Sequence, residues 1–126
     1  MTNLEIDADV ATRVMGWTVI NEPYPGPERA QQDTLYLDTD RTCYLLPDSG
    51  YPWIPTESIA SAWKVVNKMH ERGRHFLLMA SFESRLAIAS FYLGPEDRTD
   101  LSATEEFPNA PLAICRAALK AMEATV

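Results

Sequence analysis

The sequence has few of the residues that metal sites and disulfides require. Its 126 residues include two cysteines and two histidines. The histidines, His70 and His75, are separated by Gly73, so they do not share a helical face, and no set of four ligands completes a tetrahedral site. In a reducing compartment Cys43 and Cys115 are expected to remain thiols. We therefore expect no metal site, no disulfide and no cofactor.

Long apolar runs and a basic surface are also missing. No stretch approaches the ~18 apolar residues of a membrane span, and the first residues lack the basic and apolar segments of a secretory signal. We expect no membrane partner and a cytoplasmic location. The net charge of −7 argues against binding to nucleic acid polymers, because such proteins need a basic surface to displace counterions. Residues 51–93 are mildly basic, which leaves room for a small anionic ligand.

Apolar periodicity predicts a first helix over residues 4–15, with Asn3 as its cap and Gly16 at its end. A second helix is expected to begin after Thr56 and to end at Gly73. The predicted buried stripe of this second helix is Ile59, Ala62, Trp63, Val66 and Met69. Its opposite face is polar, includes Ser61 and Lys64, and is expected to face solvent.

Two pairs of β-prone runs predict two hairpins. The first pairs residues 34–38 with 42–46, and the second pairs 75–82 with 86–93. Proline-rich or acidic composition predicts exposed loops at residues 21–27, 47–55 and 94–108.

The third helix is expected to begin near Asn109, with Pro111 tolerated in its first turn. The second hairpin is apolar on both faces, with Leu77 and Met79 opposite its other apolar residues, so both faces should be covered. The sequence predicts one α+β domain, 1–126. We expect a three-layer α/β/α sandwich with a mainly antiparallel sheet of about four strands, in the order helix, hairpin, helix, hairpin, helix.

Residues 110–121 are almost entirely small or apolar apart from Arg116 and Lys120. Those two side chains are neighbours at i and i+4, whereas Cys115 lies on the core stripe. Such a helix is either covered by its own domain or packs its alanine-rich back face against another copy. We favour a homo-oligomer.

The chain resembles the phage ABA sandwich domain family, small bacteriophage and prophage proteins named for α/β/α layering. The resemblance rests on residues 8–17, 58–66 and 110–121, of which the last segment is the most specific. It implies a phage or prophage origin, the layered fold, and a location in the host bacterium. It supplies no catalytic residues.

Five side chains are candidates for binding a small anionic nucleotide. Arg116 and Lys120 can contact phosphate, and Tyr51, Trp53 and Trp17 can stack on a base. The alternative is that Arg116 pairs with an acid of the chain and Trp53 fills the core.

Three functions are open. The first is a non-enzymatic phage protein that sequesters a small nucleotide signal of bacterial immunity. The second is a protein-protein adaptor or inhibitor that uses its acidic flanks against a basic host partner. The third is a small nucleotide-acting enzyme with Asp38, Asp40 or His75 in its site. Because Asp38 and Asp40 lie in a predicted turn and no nucleophile has a base beside it, we predict no catalytic residues.

Overall fold

The computed structural model describes residues 1–81, 83–92, 102–106 and 109–124, and within them the chain is an α+β protein. Its helices are α1 (Asn3–Asp9), which continues as a π-helix (Val10–Val14), α2 (Ile59–Glu71) and α3 (Ala110–Ala124). Its strands are β1 (Thr18–Pro23), β2 (Thr34–Leu37), β3 (Tyr44–Leu45), β4 (Pro52–Trp53), β5 (His75–Ser81), β6 (Leu86–Tyr92) and β7 (Ser102–Glu106).

These strands form two sheets where the sequence predicted one sheet of about four strands. The first sheet has the order β1-β2-β3-β4, with β1 parallel to β2 and the other pairs antiparallel. The second has the order β5-β6-β7 and is antiparallel throughout. Three helices with two mostly antiparallel sheets are consistent with a sandwich.

Both predicted hairpins are present, as β2 with β3 and as β5 with β6. The predicted loops were partly wrong, because β1 runs to Pro23, β4 forms within residues 47–55 and β7 forms within 94–108. Short strands of this kind depend on pairing with a neighbour, which local sequence does not reveal. The hairpin ends predicted at residues 82 and 93, and much of the acidic connection, lie outside the described residues.

Two helices begin close to the predicted caps but not on them. Thr2, not Asn3, caps α1: its hydroxyl accepts from the N–H of Glu5 while the Glu5 carboxylate accepts from the N–H of Thr2. This reciprocal pair is a capping box, and the Thr-x-x-Glu spacing that signals it was overlooked. Ser58, not Thr56, caps α2.

Glycine ends both helices as predicted. Gly16 and Gly73 have φ of +76° and +84°, a region that residues with a Cβ rarely adopt. Before Gly16 the wider π-helical turn closes with the N–H of Met15 donating to the Val10 carbonyl, and the N–H of Trp17 donates to the Ala11 carbonyl. The chain therefore leaves the helix with Trp17 held against its last turn.

The buried face of α2 is rotated from the predicted one by about one residue. Its buried residues are Ser61, Ala62, Val65 and Met69. Ile59 and Trp63, expected inside, are 43% and 44% exposed. The Trp63 ring instead meets Phe76 of β5 edge-on, with ring centroids 5.8 Å apart.

Helix α3 is the central core element. It packs against β6 and β7, and also against α2 and the π-helix. Its buried residues are Ala113, Ile114, Cys115, Ala117, Ala118, Leu119 and Ala121. The small side chains allow this close approach from several elements. The alanine-rich face is thus covered within the chain, which removes the feature on which the oligomer prediction was based.

The second sheet has one covered face and one open face, and successive side chains along its strands point to them in turn. Ala87, Ala89 and Phe91 of β6 are fully buried. On β5, Leu77 and Met79 are 43% and 56% exposed, so the prediction of cover on both faces was wrong for this part of the described chain. An antiparallel sheet tolerates one solvated face. None of the described helices is long and apolar enough to cross a membrane.

Candidate functional site

Two tryptophans link the first helix to the first sheet. Trp53 of β4 is completely buried, and its indole Nε1 donates to the backbone carbonyl of Asp7 at 3.1 Å. The half-buried Trp17 packs edge-on against it, with ring centroids 4.8 Å apart. Trp53 therefore holds one side of Trp17 in place, and Trp17 lines a cleft.

A tight turn over residues 46–51 forms another wall of this cleft. The N–H of Gly50 donates to the Leu46 carbonyl, and the N–H of Leu46 donates to the carbonyl of Tyr51. The Tyr24 hydroxyl donates to the Pro47 carbonyl at 2.9 Å. Gly50 has a φ of +72°, and a Cβ there would lie 3.1 Å from the Tyr24 ring. The turn closes onto Tyr24 because Gly50 has no side chain, and it presents Tyr51, which is 71% exposed.

The cleft has a volume of about 600 Å³ and opens between this turn, the segment before β2 and the start of α2. Cavities of roughly 300–1,000 Å³ are typical of small-molecule sites. Trp17 and Tyr51 supply aromatic surface, and Leu46 and three prolines add apolar surface. A planar ring therefore has aromatic partners in this cleft.

Polar groups divide between the walls by element. The loop segments contribute the carboxylates of Asp33 and Asp48, whereas α2 contributes Ser58, Ser61 and the ammonium group of Lys64. The N-terminus of a helix carries a partial positive charge from its unpaired N–H groups. The loop wall is thus negative and the helix wall is positive.

The structure brings some of the predicted binding residues together and separates the others. Trp17 and Tyr51 both line the cleft, while Trp53 lies behind Trp17 and fills the core. Arg116 and Lys120 do not line it. Arg116 pairs with Glu105 of β7, as the alternative interpretation expected, and the Nζ of Lys120 donates to the Ser102 carbonyl at 2.8 Å. These two side chains fasten β7 to α3, and their contact with a phosphate stays a prediction.

Sequence reasoning missed two polar residues of the cleft, Ser61 and Lys64, by assigning them to the solvent face of α2. Ser61 is 8% exposed and Lys64 is exposed at the cleft. Ser58 is as suitable an N-cap residue as Thr56, and it starts the helix two residues later. Had that start been used, both would have fallen in the first two turns, where anions bind.

Asp7 is a buried acid behind the cleft. Its side chain accepts a hydrogen bond from the N–H of Thr56 at 3.0 Å, which ties α1 to the segment before α2. Burial raises the pKa of Asp7 from 3.8 to about 6, and this effect exceeds the opposing effect of the hydrogen bonds from Thr56. Asp7 does not line the cleft, so its role is structural.

The candidate catalytic groups have other roles among the described residues. The Asp38 carboxylate accepts hydrogen bonds from the N–H and hydroxyl of Thr42, at 2.8 and 2.9 Å, which stabilises its turn. The His75 ring stacks on Tyr92. Burial raises the pKa of the Cys115 thiol, and burial together with Asp38 raises that of Cys43 to about 11. Both thiols stay protonated and weakly nucleophilic at neutral pH.

Over 1–81, 83–92, 102–106 and 109–124, no three His, Cys, Asp or Glu side chains lie close enough together to hold an ion.

Comparison with known proteins gives one match. The family model described as a phage ABA sandwich domain matches residues 8–119. No curated protein and no solved structure matches the chain.

Proposed function

Because the chain belongs to the phage ABA sandwich domain family, we propose that it is a non-enzymatic phage protein that binds and sequesters a small nucleotide signal of bacterial immunity in the cleft lined by Trp17 and Tyr51. One observation carries the proposal: an open cleft of about 600 Å³ has two aromatic rings and both signs of charge in its lining. A nucleotide combines a flat base, hydrogen-bond donors and an anionic group.

Stacking supplies much of the binding energy in this proposal. A base on Trp or Tyr contributes roughly 1–3 kcal/mol, and stacking tolerates different bases because each has a π-face. Trp17 is already packed against the buried Trp53, so little conformational freedom is lost there on binding. Tyr51 is exposed, and its ring is open to stack on a base.

The absence of an activated nucleophile among the described residues favours binding over turnover. Both thiols are kept protonated by their surroundings, and Asp38 is engaged in its turn. Binding alone requires none of these groups.

The test is a thermal-shift and calorimetric screen of linear and cyclic nucleotides. A ligand present at about 100 times its Kd adds about 2.7 kcal/mol of stability, a rise in Tm of roughly 8 °C. Heating the complex should release the nucleotide chemically unchanged in stoichiometric amount. Catalytic conversion would instead establish the enzyme hypothesis, and no shift with any nucleotide would reject the proposal.

Variants locate the binding site in the same screen. Tyr51→Ala should weaken binding roughly tenfold, in line with the loss of one stacking contact. Arg116→Ala and Lys120→Ala should leave affinity within about twofold, since both lie outside the cleft. The reverse pattern would move the site to α3, where the sequence first placed its cations.

The second candidate function, an adaptor or inhibitor of a host protein, is favoured by one observation. Leu77 and Met79 stand exposed on the open face of the second sheet, where apolar side chains can serve protein contacts. The predicted homo-oligomer also needs an interface, and the buried face of α3 cannot supply it. The open face of the second sheet is the candidate. Native mass spectrometry of the wild type and of Met79→Lys tests both: loss of a dimer identifies self-association, whereas a monomer in both samples leaves the face to another partner.

A further inference from the structure

We infer that the first turn of α2, together with Ser61 and Lys64, is the subsite for the anionic group of the ligand, which makes it a site for a single phosphate or a similar tetrahedral oxyanion. The inference deepens the function proposed above and names the part of the cleft that would recognise the phosphate.

Unpaired backbone donors are the first argument. The N–H groups of the first turn of a helix have no acceptor within the helix. The Ser58 hydroxyl accepts from the N–H of Ser61 at 3.4 Å. The structure gives the N–H groups of Ile59 and Ala60 no acceptor among the described residues, and Ala60 lines the cleft. Two donors at the positive end of a helix of 13 residues therefore lack an acceptor, and the one on Ala60 belongs to a residue that lines the cleft.

Ser61 gives a second, independent argument. It is buried, with 8% of its surface exposed, and it lines the cleft. Its N–H donates to the Ser58 hydroxyl, while its own hydroxyl has no hydrogen-bond partner among the described residues. Among the described residues the fully buried side-chain atom without a hydrogen bond is Thr56 Oγ1, so the Ser61 hydroxyl still reaches the cleft and can donate there. An oxyanion in the cleft would accept from this hydroxyl.

Charge selects this wall over the opposite one. Lys64 follows Ser61 by three residues, so it lies on the same side of α2 and adds a full positive charge to the partial charge of the helix end. Among the described residues Lys64 has no ion pair, whereas Lys68 on the next turn pairs with Glu71. The loop wall carries Asp33 and Asp48, which repel an anion. A phosphate is therefore directed to α2, and the carboxylates face the hydrogen-bond donors of the ligand.

The first experiment uses inorganic phosphate as the probe, because it does not depend on the identity of the nucleotide. The amide resonances of the isotope-labelled protein are followed by NMR as phosphate is added at pH 7.5, with sodium chloride at matched ionic strength as the salt control. Saturable shifts at the amides of Ile59, Ala60 and Ser61 are expected. The absence of saturable shifts in this turn overturns the subsite.

Matched variants test the side chains. Lys64→Ala and Ser61→Ala should each weaken phosphate binding about fivefold or more, since each removes a donor to an anion. Lys68→Ala changes the same residue type one turn further along and should bind phosphate as the wild type does. Equal weakening by Lys64→Ala and Lys68→Ala would reduce the effect to general charge and overturn the subsite. The same spectra show that each variant is folded.

A second arm separates this inference from the proposed function. Nucleoside 5′-monophosphates and the matching nucleosides are titrated in parallel. Phosphate binding at α2 with no binding of any nucleotide supports the subsite and rejects nucleotide sequestration. Nucleotide binding that shifts Trp17 and Tyr51 but leaves the amides of α2 unmoved overturns the subsite and keeps the proposed function. Tighter binding of the monophosphate, with that advantage lost in Lys64→Ala, supports both.

Discussion

The second sheet with α3 is built from long regular elements, whereas the first sheet is built from short strands and loops. Helix α3 and strand β6 are regular elements that pack against each other through buried alanines and a few larger apolar side chains. The first sheet has strands of two to six residues, joined by proline-containing segments and tight turns, and it leaves an open cleft. Regular segments give stability and irregular ones position binding groups. The segment in α3 from which the sequence predicted both assembly and phosphate contact is therefore a packing helix, whereas the candidate site lies in the less regular part.

The largest expected effect is a charge placed inside α3. Ala117→Glu puts a carboxylate at a position with no exposed surface, in a helix that packs against two sheet strands and two other helices. An unpaired buried charge should lower the free energy of unfolding by about 4 kcal/mol or more. Urea denaturation followed by circular dichroism measures this loss.

The neighbouring variant Arg116→Ala is the control. It removes an ion pair in which Arg116 is half-exposed and Glu105 is partly buried, and it should cost no more than about 1 kcal/mol. A folded Ala117→Glu variant whose assembly has a different mass would show that the back face of α3 is an interface between copies. Helix α3 would then not be a packing element alone, and the comparison with the cleft would fail.

Two aromatic residues in the same segment should differ next most strongly. Trp53→Ala removes a fully buried ring and its hydrogen bond to Asp7, and should cost about 3–5 kcal/mol. Tyr51→Ala, two residues earlier, removes an exposed ring and should change stability by no more than about 0.5 kcal/mol. Chemical denaturation of both variants separates a structural ring from a binding ring. Equal losses would show that Tyr51 belongs to the core.

The smallest of the three effects depends on pH. The pKa of the Asp7 carboxyl is about 6 in the folded chain, compared with its ordinary value of 3.8 in the unfolded chain. Between these two pH values the folded state keeps the proton that the unfolded state releases. Stability from this group should therefore be greatest below pH 4 and fall as pH rises to 6, by roughly 1–3 kcal/mol. Asp7→Asn keeps an acceptor for the Thr56 N–H and has no charge.

The measurement is the difference in unfolding free energy between the wild type and Asp7→Asn from pH 4 to 7.5. Because the two proteins share all other acidic groups, the contributions of those groups to the pH dependence cancel. The wild type should lose stability relative to the variant as pH rises. A difference that stays constant over this range would show that Asp7 has an ordinary pKa and lies in a wetter environment than the structure indicates.

The sequence predicted features that depend on local chemistry. Gly16 and Gly73 end their helices, and both hairpins form, because turn residues and alternating apolar residues act over short distances. The exposure of Trp63 could not be predicted, since a helix with apolar residues on several sides can be rotated by its neighbours. Strand β4 was hidden by its prolines and exists because β3 pairs with it.

The candidate site was predicted in part for the same reason. Tyr51 stood out as an aromatic residue in a proline-containing loop and Trp17 as one that follows the first helix, and both line the cleft. Ser61 and Lys64 did not stand out, because serine and lysine on a helix usually face solvent. Their meeting with two loops distant in sequence is a tertiary event, and only a correct start for α2 would have suggested it.

Gly50 affects the shape of the cleft from a position outside its lining. The approach of the turn to Tyr24 depends on the missing side chain of Gly50, although neither residue lines the cleft. A side chain at Gly50 would strain its backbone and press on the Tyr24 ring, so the ring or the turn would have to shift by a few tenths of an ångström. The position of the turn that carries Tyr51 is therefore set partly by a contact behind the cleft, so the shape of the cleft can change while its lining residues stay the same.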